Sequence, residues 1–295
     1  MSKIVDNIGL PTPVLEAIKN RPYDKGDADI SITGLQTPPR ITQLLERLGD
    51  EVEQEAADLI YALEGSAMHS VFEWASSTMD SDNFHFEKRL FAEIDGWKVS
   101  GQMDLIDLQQ KLIQDYKRCS YWVGVYGIKE EWTQQLNGYR WLCHKNGIDI
   151  ERLEICAVYR DWSKEKAWRG ERGYPQKGIE IFHIDVWPLD RAEAWIKERV
   201  AVHQKALLTA TSKLPLCTPE ERWEKKGQFA VEVKGEKKAR KLEATRQDAL
   251  NWMAEHLQPG DISKATVIQR DGYPKRCIGW CPVRKQCSFG KGWAK

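Results

Sequence analysis

The sequence predicts a mixed α/β fold, in which a central mixed sheet is flanked by helices and followed by a small cysteine-stapled C-terminal region. Apolar and polar residues alternate over residues 84–117, which predicts consecutive strands. Apolar residues at helical spacing precede and follow that stretch. The chain has 295 residues, of which 41% are hydrophobic and 30% charged, as expected for one large globular domain or two small ones.

The N-terminal third predicts an irregular arm followed by helices. Residues 1–38 are rich in Pro, Gly and Asp, and predict little regular structure beyond one short helix near Pro13–Asn20. Residues 40–48 and 51–79 have the apolar spacing of helices. Gly65 marks either a break between two helices or a point where backbone packs closely.

Three antiparallel strands are predicted after the helices. Asp95-Gly96 is a strong hairpin turn between the first two strands. Gln109-Gln110 is inferred as the second turn from its flanks. The predicted strands are residues 84–94, 97–108 and 111–117.

Helices and strands then alternate, which favours helices packed on a mixed sheet. The predicted elements are a helix at 128–145, strands at 153–160 and 179–187, a helix at 189–209, a short strand near 229–233 and a helix at about 243–257. The chain therefore divides into an irregular arm (1–38), a core (39–212) and a C-terminal region (213–295).

Charge is distributed unevenly although the net charge is zero. Residues 222–295 contain 17 Lys and Arg against 8 Asp and Glu, whereas residues 1–221 contain 27 against 36. The basic end is either a surface for nucleic acid or a solvated tail. Its candidate DNA-binding residues are Lys237, Lys238, Arg240 and Lys241.

No run of 18 apolar residues is present, which excludes a membrane span. The N-terminus lacks the apolar stretch of a secretory signal, so we expect a cytoplasmic protein. In a reducing compartment the seven cysteines are more suited to metal ligation than to disulfides.

The most informative segment is the hairpin that carries Asp104 and Asp115. With a two-residue turn at 109–110, these two residues face each other across neighbouring strands. Carboxylates about 5 Å apart need a cation between them or a raised pKa. Lys117 leaves the same strand face as Asp115. Two carboxylates and a lysine suit Mg²⁺- or Mn²⁺-dependent phosphodiester hydrolysis, although an exposed face with a surface salt bridge gives the same pattern.

The hairpin sequences GQMDLID (101–107) and IQDYK (113–117) resemble the core of the PD-(D/E)xK nuclease superfamily, particularly its RecB-type branch. Upstream, GSAMH (65–69) followed by Glu73 resembles the G-x-x-x-H-x-x-x-E helix of that branch. Downstream, QLNGY (135–139) resembles its Q-L-x-x-Y helix. The four pieces occur in the family's order.

The resemblance implies a restriction-endonuclease-like core and a role for each matching residue. It implies that Lys117 is the catalytic lysine, and that Gln135 and Tyr139 contact the DNA strand or steady the lysine. The implied ligands of Mg²⁺ or Mn²⁺ are His69, Asp104, Asp115 and the backbone carbonyl of Tyr116. Alternatively, His69 and Glu73 form a surface pair, and Gln135 and Tyr139 are a packing face. Among further acids, Asp107 is expected to point away, and Glu87 is at most a supporting acid.

Four cysteines near the C-terminus form a second candidate centre, with the last three in a C-x3-C-x5-C pattern. The arrangement resembles that of the iron–sulfur-bearing members of the same branch, which implies a [4Fe–4S] cluster. Structural Zn²⁺ and free thiols are the alternatives. The candidate ligands are Cys217, Cys277, Cys281 and Cys287. Cys119, Cys143 and Cys156 fall in core elements and are expected to be buried apolar residues.

These features predict a divalent-metal-dependent deoxyribonuclease, and the resemblance favours an exonuclease of recombination or DNA processing in a bacterial or phage-infected cell. The expected partners are DNA and a recombination protein, without a membrane, and the oligomeric state stays open. The rivals are an inactive DNA- or protein-binding module and an RNA- or nucleotide-directed hydrolase. No G-x-x-x-x-G-K-[ST] loop is present, which excludes ATP-driven helicase action within this chain.

Overall fold

A computed structural model describes residues 2–21 and 25–293, which form two compact units, residues 1–213 and 214–295. In the first unit the strands are β1 (Lys3–Val5), β2 (Ile30–Ser31), β3 (Glu53–Glu55), β4 (Phe84–Ile94), β5 (Trp97–Asp107), β6 (Leu112–Cys119), β7 (Arg152–Tyr159) and β8 (Ile179–His183). Its α-helices are α1 (Thr12–Lys19), α2 (Ile32–Gln36), α3 (Pro39–Leu48), α4 (Ile60–Glu73), α5 (Trp122–Tyr126), α6 (Glu130–Lys145), α7 (Lys164–Trp168) and α8 (Leu189–Leu208). Within the described ranges, no helix combines the length and the apolar character needed to cross a membrane.

The first unit is built on a six-stranded mixed sheet. β5 pairs antiparallel with β4 and β6 and parallel with β2, β6 pairs parallel with β7, and β7 pairs antiparallel with β8. The parallel pair β6–β7 is connected through α5 and α6, since parallel neighbours need a crossover. The predicted mixed α/β fold, with a central sheet flanked by helices, is confirmed.

The β5–β6 hairpin has the predicted register but a longer turn. The ladder begins at Asp107↔Leu112 and runs to Leu105↔Gln114, so facing residues sum to 219 as a turn centred on 109–110 requires. Four residues, 108–111, connect the strands, and Lys111 has a positive φ of 50°. The two-residue turn was wrong, but lengthening it by one residue at each end preserved the register.

Helices cover both faces of this sheet. The main core contains fully buried side chains of β5, β6 and β7 together with those of α6 and α8, among them Ile106, Ile113, Leu136, Ile155 and Ile196. A smaller cluster joins α4 to the other face. It contains Leu105, Tyr116, Cys156, Met68, Phe72, Phe84 and Phe86.

Several predicted elements need correction. The arm at 1–38 contains the expected helix, α1, but its remaining part also forms regular structure, since β2 joins the sheet and α2 packs in the core. The helix predicted from residue 51 begins only at Ile60, because Glu53–Glu55 instead pairs with Lys3–Val5. Such a long-range pairing leaves no local signal. α4 runs unbroken through Gly65.

The second unit contains β9 (Glu224–Lys225), β10 (Gln228–Val233), β11 (Lys241–Glu243), β12 (Ala265–Arg270) and β13 (Tyr273–Pro274), with α9 (Arg246–His256), α10 (Pro259–Ile262) and α11 (Lys275–Gly279). β10 lies between β11 and β12, and α9 packs on them through Val231, Val233, Ala249 and Leu257. β9 pairs with β13. The helix at α9 and the strand at β10 were predicted, whereas β12 was missed.

Candidate metal-dependent active site

Three acidic residues lie in one row across β4, β5 and β6. Glu87 stands opposite Asp104, since the flanking pairs are Phe86↔Leu105 and Lys88↔Met103. On the other side, Asp104 stands opposite Asp115, one step beyond the last backbone pair of β5 and β6. Carboxylates in adjacent cross-strand positions repel each other. The row therefore needs positive charge nearby.

The site lies where β5 and β6 separate. Their ladder ends at Leu105↔Gln114. The next backbone N–H of β6 that faces β5 is that of Tyr116, and it can therefore bond a side chain. It donates to Oδ2 of Asp104 at 2.7 Å. Asp104 is buried, and this bond fixes its carboxylate while Oδ1 remains available.

His69 approaches this row from α4. Its Nδ1 atom lies 3.2 Å from Oδ1 of Asp104 and 3.4 Å from Oε1 of Glu87. The hydrogen bond to Asp104, and then that to Glu87, raises the pKa of His69 to about 10, which favours the positively charged imidazolium beside these two carboxylates. One ligand atom from each of the three residues lies within 4.8 Å of the others, which is spacing suitable for a metal ion.

Glu87 is the site residue that sequence reasoning underestimated. It has a positive φ of 47°, which marks a local distortion of β4 beside Asp104. Its Oε2 accepts a 2.6 Å hydrogen bond from Nε2 of Gln102, and Gln102 in turn accepts one from Arg89. A signal for Glu87 was present in the sequence. The Asp95-Gly96 turn makes residues that sum to 191 face each other, and Glu87 and Asp104 satisfy this condition.

Asp115 is buried in contact with Lys117 and α6. Its Oδ2 lies 2.6 Å from Nζ of Lys117, and its Oδ1 accepts a 3.0 Å hydrogen bond from Nε2 of Gln135. Burial, and then the charge of Asp104, raise the pKa of Asp115 to about 7. Burial lowers the pKa of Lys117, but the charges of Asp115 and Asp104 outweigh it and raise that pKa, which keeps the ammonium charged.

Gln135 and Tyr139 of α6 lie beside Asp115. Nε2 of Gln135 also lies within hydrogen-bond distance of the Tyr139 hydroxyl, at 2.9 Å. Gly101 lets α6 approach the sheet closely, since a Cβ there would lie 2.6 Å from Leu142 and 2.8 Å from Tyr139. Because α6 rests directly on β5, Gln135 can reach Asp115.

The acids open into a cleft of about 840 Å³. Side chains of α4 form one wall, including Ser66, Ser70 and Glu73. Arg21 and Arg89 also line it, with Ser31 and Thr33 from the segment predicted to be irregular. The cleft combines buried carboxylates, which can hold cations, with two guanidinium groups, which can bind an anion beside them.

The remaining acids have other positions. Asp107 accepts hydrogen bonds from the backbone N–H and the side chain of Gln110, at 2.9 and 2.8 Å, and so stabilises the turn. Glu73 and Asp115 line the cleft, but neither belongs to the group of His69, Glu87 and Asp104. Of the side chains that the resemblance implied as metal ligands, Asp115 therefore lies outside that group, and Glu87 lies within it.

The four candidate cysteines are neighbours in the second unit. Burial, followed by the charges of Glu221 and of the other three thiols, raises the pKa of Cys217 to about 12. Pairing of β9 with β13 brings the chain after Cys217 beside the chain before Cys277. Within the described residues none of the four forms a disulfide, and three of them, Cys277, Cys281 and Cys287, are buried. Cys119, Cys143 and Cys156 are buried in the first unit, as expected.

The predicted basic residues differ in their pairing. Arg240 forms ion pairs with Glu236 at 2.6 Å and with Asp261 at 2.7 Å, and Lys241 lies 3.4 Å from Glu243. Lys237 and Lys238 are exposed on the loop between β10 and β11.

No protein-family model matches the sequence, and no curated protein is significantly similar to it. Solved structures are similar to about two-thirds of the chain. One is the crystal structure of SSO0001, at 16% identity and a TM-score of 0.43, covering 64% of this chain and 84% of that chain. Another is a phage related exonuclease from Haemophilus somnus 129PT, at 18% identity and a TM-score of 0.37, covering 65% and 90%. At these values the likenesses establish no activity for this chain.

Proposed function

We propose that this protein is a divalent-metal-dependent deoxyribonuclease, acting as an exonuclease in DNA recombination or processing. The observation that carries the proposal is the row of Glu87, Asp104 and Asp115, with His69 at one end and Lys117 at the other. The same hairpin resembles the PD-(D/E)xK core, and this resemblance supports assignment to the RecB-type branch and exonuclease rather than endonuclease activity.

The donor set fits Mg²⁺ or Mn²⁺. These ions prefer carboxylate and carbonyl oxygens, and Mn²⁺ also accepts imidazole. Within the described ranges, no hydrogen bond of regular geometry reaches Oδ2 of Asp115, although Lys117 lies beside it. The backbone carbonyl of Tyr116 adds a further oxygen that can bind the metal. The N–H and C=O of one strand residue face the same neighbouring strand. The carbonyl of Tyr116 therefore faces β5, as does the N–H that bonds Asp104.

A bound divalent ion would activate water and neutralise charge on a phosphodiester. The residues would then act as follows. Asp104 and Asp115, with His69 and Glu87, hold the metal. Lys117 holds positive charge where the attacking water or the phosphate oxygen lies. Gln135 keeps Asp115 in position, since it donates to that carboxylate and contacts Tyr139.

The cleft supports a polyanionic substrate. Arg21 and Arg89 line it beside the acids and can bind phosphate oxygens. In the second unit, the exposed Lys237 and Lys238 are the better candidates for further phosphate contacts, because Arg240 is already paired with two carboxylates. Charge reversal at both lysines should flatten the salt dependence of DNA binding by an inactive variant. An unchanged slope would exclude Lys237 and Lys238 as phosphate contacts.

We also propose that Cys217, Cys277, Cys281 and Cys287 hold one structural centre, a [4Fe–4S] cluster, with Zn²⁺ as the alternative. Support comes from the burial of Cys277, Cys281 and Cys287, and from the electrostatic effect that neighbouring thiols of this set have on Cys217, Cys277 and Cys281. The centre would link the beginning of the second unit to its end.

Incubation with three substrates tests the proposed function: linear DNA, covalently closed circular DNA and linear RNA, each with Mg²⁺, Mn²⁺ or EDTA. The proposal predicts release of nucleotides from linear DNA with either metal and none in EDTA. Closed circular DNA should resist, since it has no ends. Preferential cleavage of RNA would favour the RNA-directed hydrolase, and DNA binding without cleavage under any metal would favour the inactive binding module.

A further inference from the structure

Three aromatic rings form a continuous stack at the beginning of α5. Tyr121 and Trp122 stack with ring centroids 4.7 Å apart, and Trp122 and Tyr126 stack at 5.3 Å with an interplanar angle of 10°. The stack runs from the interior to solvent. Tyr121 packs against the core, Trp122 is 47% exposed and Tyr126 is 80% exposed. We call Tyr121, Trp122 and Tyr126 the aromatic stack.

The segment that carries the aromatic stack is anchored by several contacts. Asp161 accepts hydrogen bonds from the backbone N–H of Tyr121 at 2.8 Å and from the Ser120 hydroxyl at 2.6 Å. Tyr121 also contacts the ring of buried Tyr174 at 4.7 Å. α5 packs tightly at Gly124, where a Cβ would lie 2.5 Å from the Tyr159 hydroxyl. Rings fixed in this way lose little conformational entropy when a ligand stacks on them.

The aromatic stack lies near the candidate active site. Trp122 comes five positions after Lys117, and extended backbone spans at most about 3.6 Å per residue, so their Cα atoms are no more than about 18 Å apart. One B-form strand covers that distance with about five nucleotides at about 3.4 Å each. Arg160 joins the two regions, because its N–H bonds the carbonyl of Cys119 and its guanidinium lies 4.3 Å from the ring centroid of Tyr61 on α4.

More positive than negative charge lies around the aromatic stack, although Arg118 is paired with Glu64 at 2.9 Å and Asp161 bonds the backbone of Tyr121. Residues 116–129 contain Lys117, Arg118 and Lys129 and no Asp or Glu. Nζ of Lys166 lies 5.9 Å from the ring centroid of Tyr121. The loop that carries it, residues 160–178, has six Lys and Arg against three Asp and Glu. Exposed ring faces beside lysine and arginine are the combination that binds single-stranded nucleic acid without sequence preference.

We infer that Trp122 and Tyr126 form a stacking platform for unpaired bases of the DNA strand whose backbone enters the cleft. The inference rests on the proposed function, which gives DNA as the substrate class. It adds that the DNA beside the scissile bond is a single-stranded segment. Bases stack on aromatic side chains through faces that every base has, so the platform would hold the strand without selecting sequence.

The test measures binding in EDTA, where no cleavage occurs, by fluorescence anisotropy with a labelled single strand of about 12 nucleotides. A second oligonucleotide of the same length carries abasic sites throughout its centre, and so keeps the phosphates but lacks the bases. The protein should bind the normal strand about tenfold more tightly than the abasic one, or better.

Two double variants isolate stacking from apolar character. Trp122→Phe with Tyr126→Phe keeps ring faces and should retain at least half of the preference for the normal strand. Trp122→Leu with Tyr126→Leu keeps apolar surface but has no rings, and its preference should fall to about one. Thermal melting checks that both variants are folded.

The inference is overturned if the Leu variant keeps the parental preference, if the Phe variant loses as much as the Leu variant, or if the parent shows no preference. In each case Trp122 and Tyr126 would not hold bases. Failure of the proposed function looks different. The parent would then fail to cleave DNA while its binding preference, and the loss of that preference in the Leu variant, persisted.

Discussion

The carboxylate of Asp104 and the backbone N–H of Tyr116 form a 2.7 Å hydrogen bond at the point where β5 and β6 separate. A side chain thus takes the place of a backbone acceptor in the ladder. The bond turns one oxygen of Asp104 toward β6 and leaves the other 3.2 Å from Nδ1 of His69. The opening of the hairpin therefore lies at the cleft that the buried carboxylates line.

Glu87→Gln tests the acid that the sequence pattern ranked low. Loss of its negative charge should weaken binding of Mn²⁺ at least about tenfold, because Glu87 contributes one of three clustered ligand atoms. Titration of metal into protein and measurement of cleavage rate against metal concentration both report this change. Glu93→Gln is the matched control, since Glu93 is an exposed acid on the same strand. Equal metal affinity in the two variants would remove Glu87 from the site.

Gln135→Ala should lower kcat by about 10- to 100-fold with little change in KM, because Gln135 orients Asp115 without needing to touch the substrate. The concentration of Mg²⁺ needed for half-maximal rate should rise as well, which a merely structural defect would not cause. Gln134→Ala is the control, since Gln134 precedes it on α6 and should leave both values unchanged. Reversal of these two results would mean that the Q-L-x-x-Y pattern selected the wrong glutamine.

Cys281→Ala should reduce thermal stability before it affects the chemical step, because the proposed cysteine centre is structural. Protein purified without oxygen should be brown and contain about four irons per chain, and the variant should lose both. Cys119→Ala, which removes a buried thiol of the first unit, should keep the iron. One zinc per chain would discard the cluster and keep the centre, whereas absence of metal from folded protein would discard both.

The stability of the fold should depend on pH through His203 of α8. Burial, and then the charge of Arg199, lower the pKa of His203 to about 4, and the structure gives its Nε2 no hydrogen-bond partner. The unfolded chain binds a proton near pH 6.5, whereas the folded protein does so only near pH 4. Unfolding therefore takes up a proton between these values, and stability falls as the pH is lowered from about 6.5 to about 4.

The expected loss through His203 is up to about 3 kcal/mol, from a pKa difference of about 2.5. Denaturant unfolding of the parent and of His203→Gln at several pH values measures it. The difference between the two free energies of unfolding should change across that window and be constant above it, because all other titrations are shared. A constant difference at every pH would show that His203 titrates normally.

Period-two alternation and the position of the turn were sufficient to predict the relative positions of Asp104, Asp115 and Lys117. They placed Asp115 opposite Asp104 and Lys117 on the same face, even though the turn proved two residues longer, because a symmetric change preserves register. The same arithmetic at Asp95-Gly96 places Glu87 opposite Asp104, but only the structure shows that His69 contacts both. The pairing of β1 with β3, and the contribution of Ser31 to the cleft, depend on contacts between distant segments that no local pattern encodes.

The central claim is that Asp115 belongs to a metal-dependent hydrolytic centre, and the rate of nucleotide release from linear DNA in Mn²⁺ tests it most directly. Asp115→Asn should reduce the rate to near background, because the amide cannot supply the charge that the metal needs. Asp107→Asn, an acid of the same hairpin that stabilises the turn, should keep the rate while costing about 1 kcal/mol of stability. Parental nucleotide release by folded Asp115→Asn protein would contradict the account.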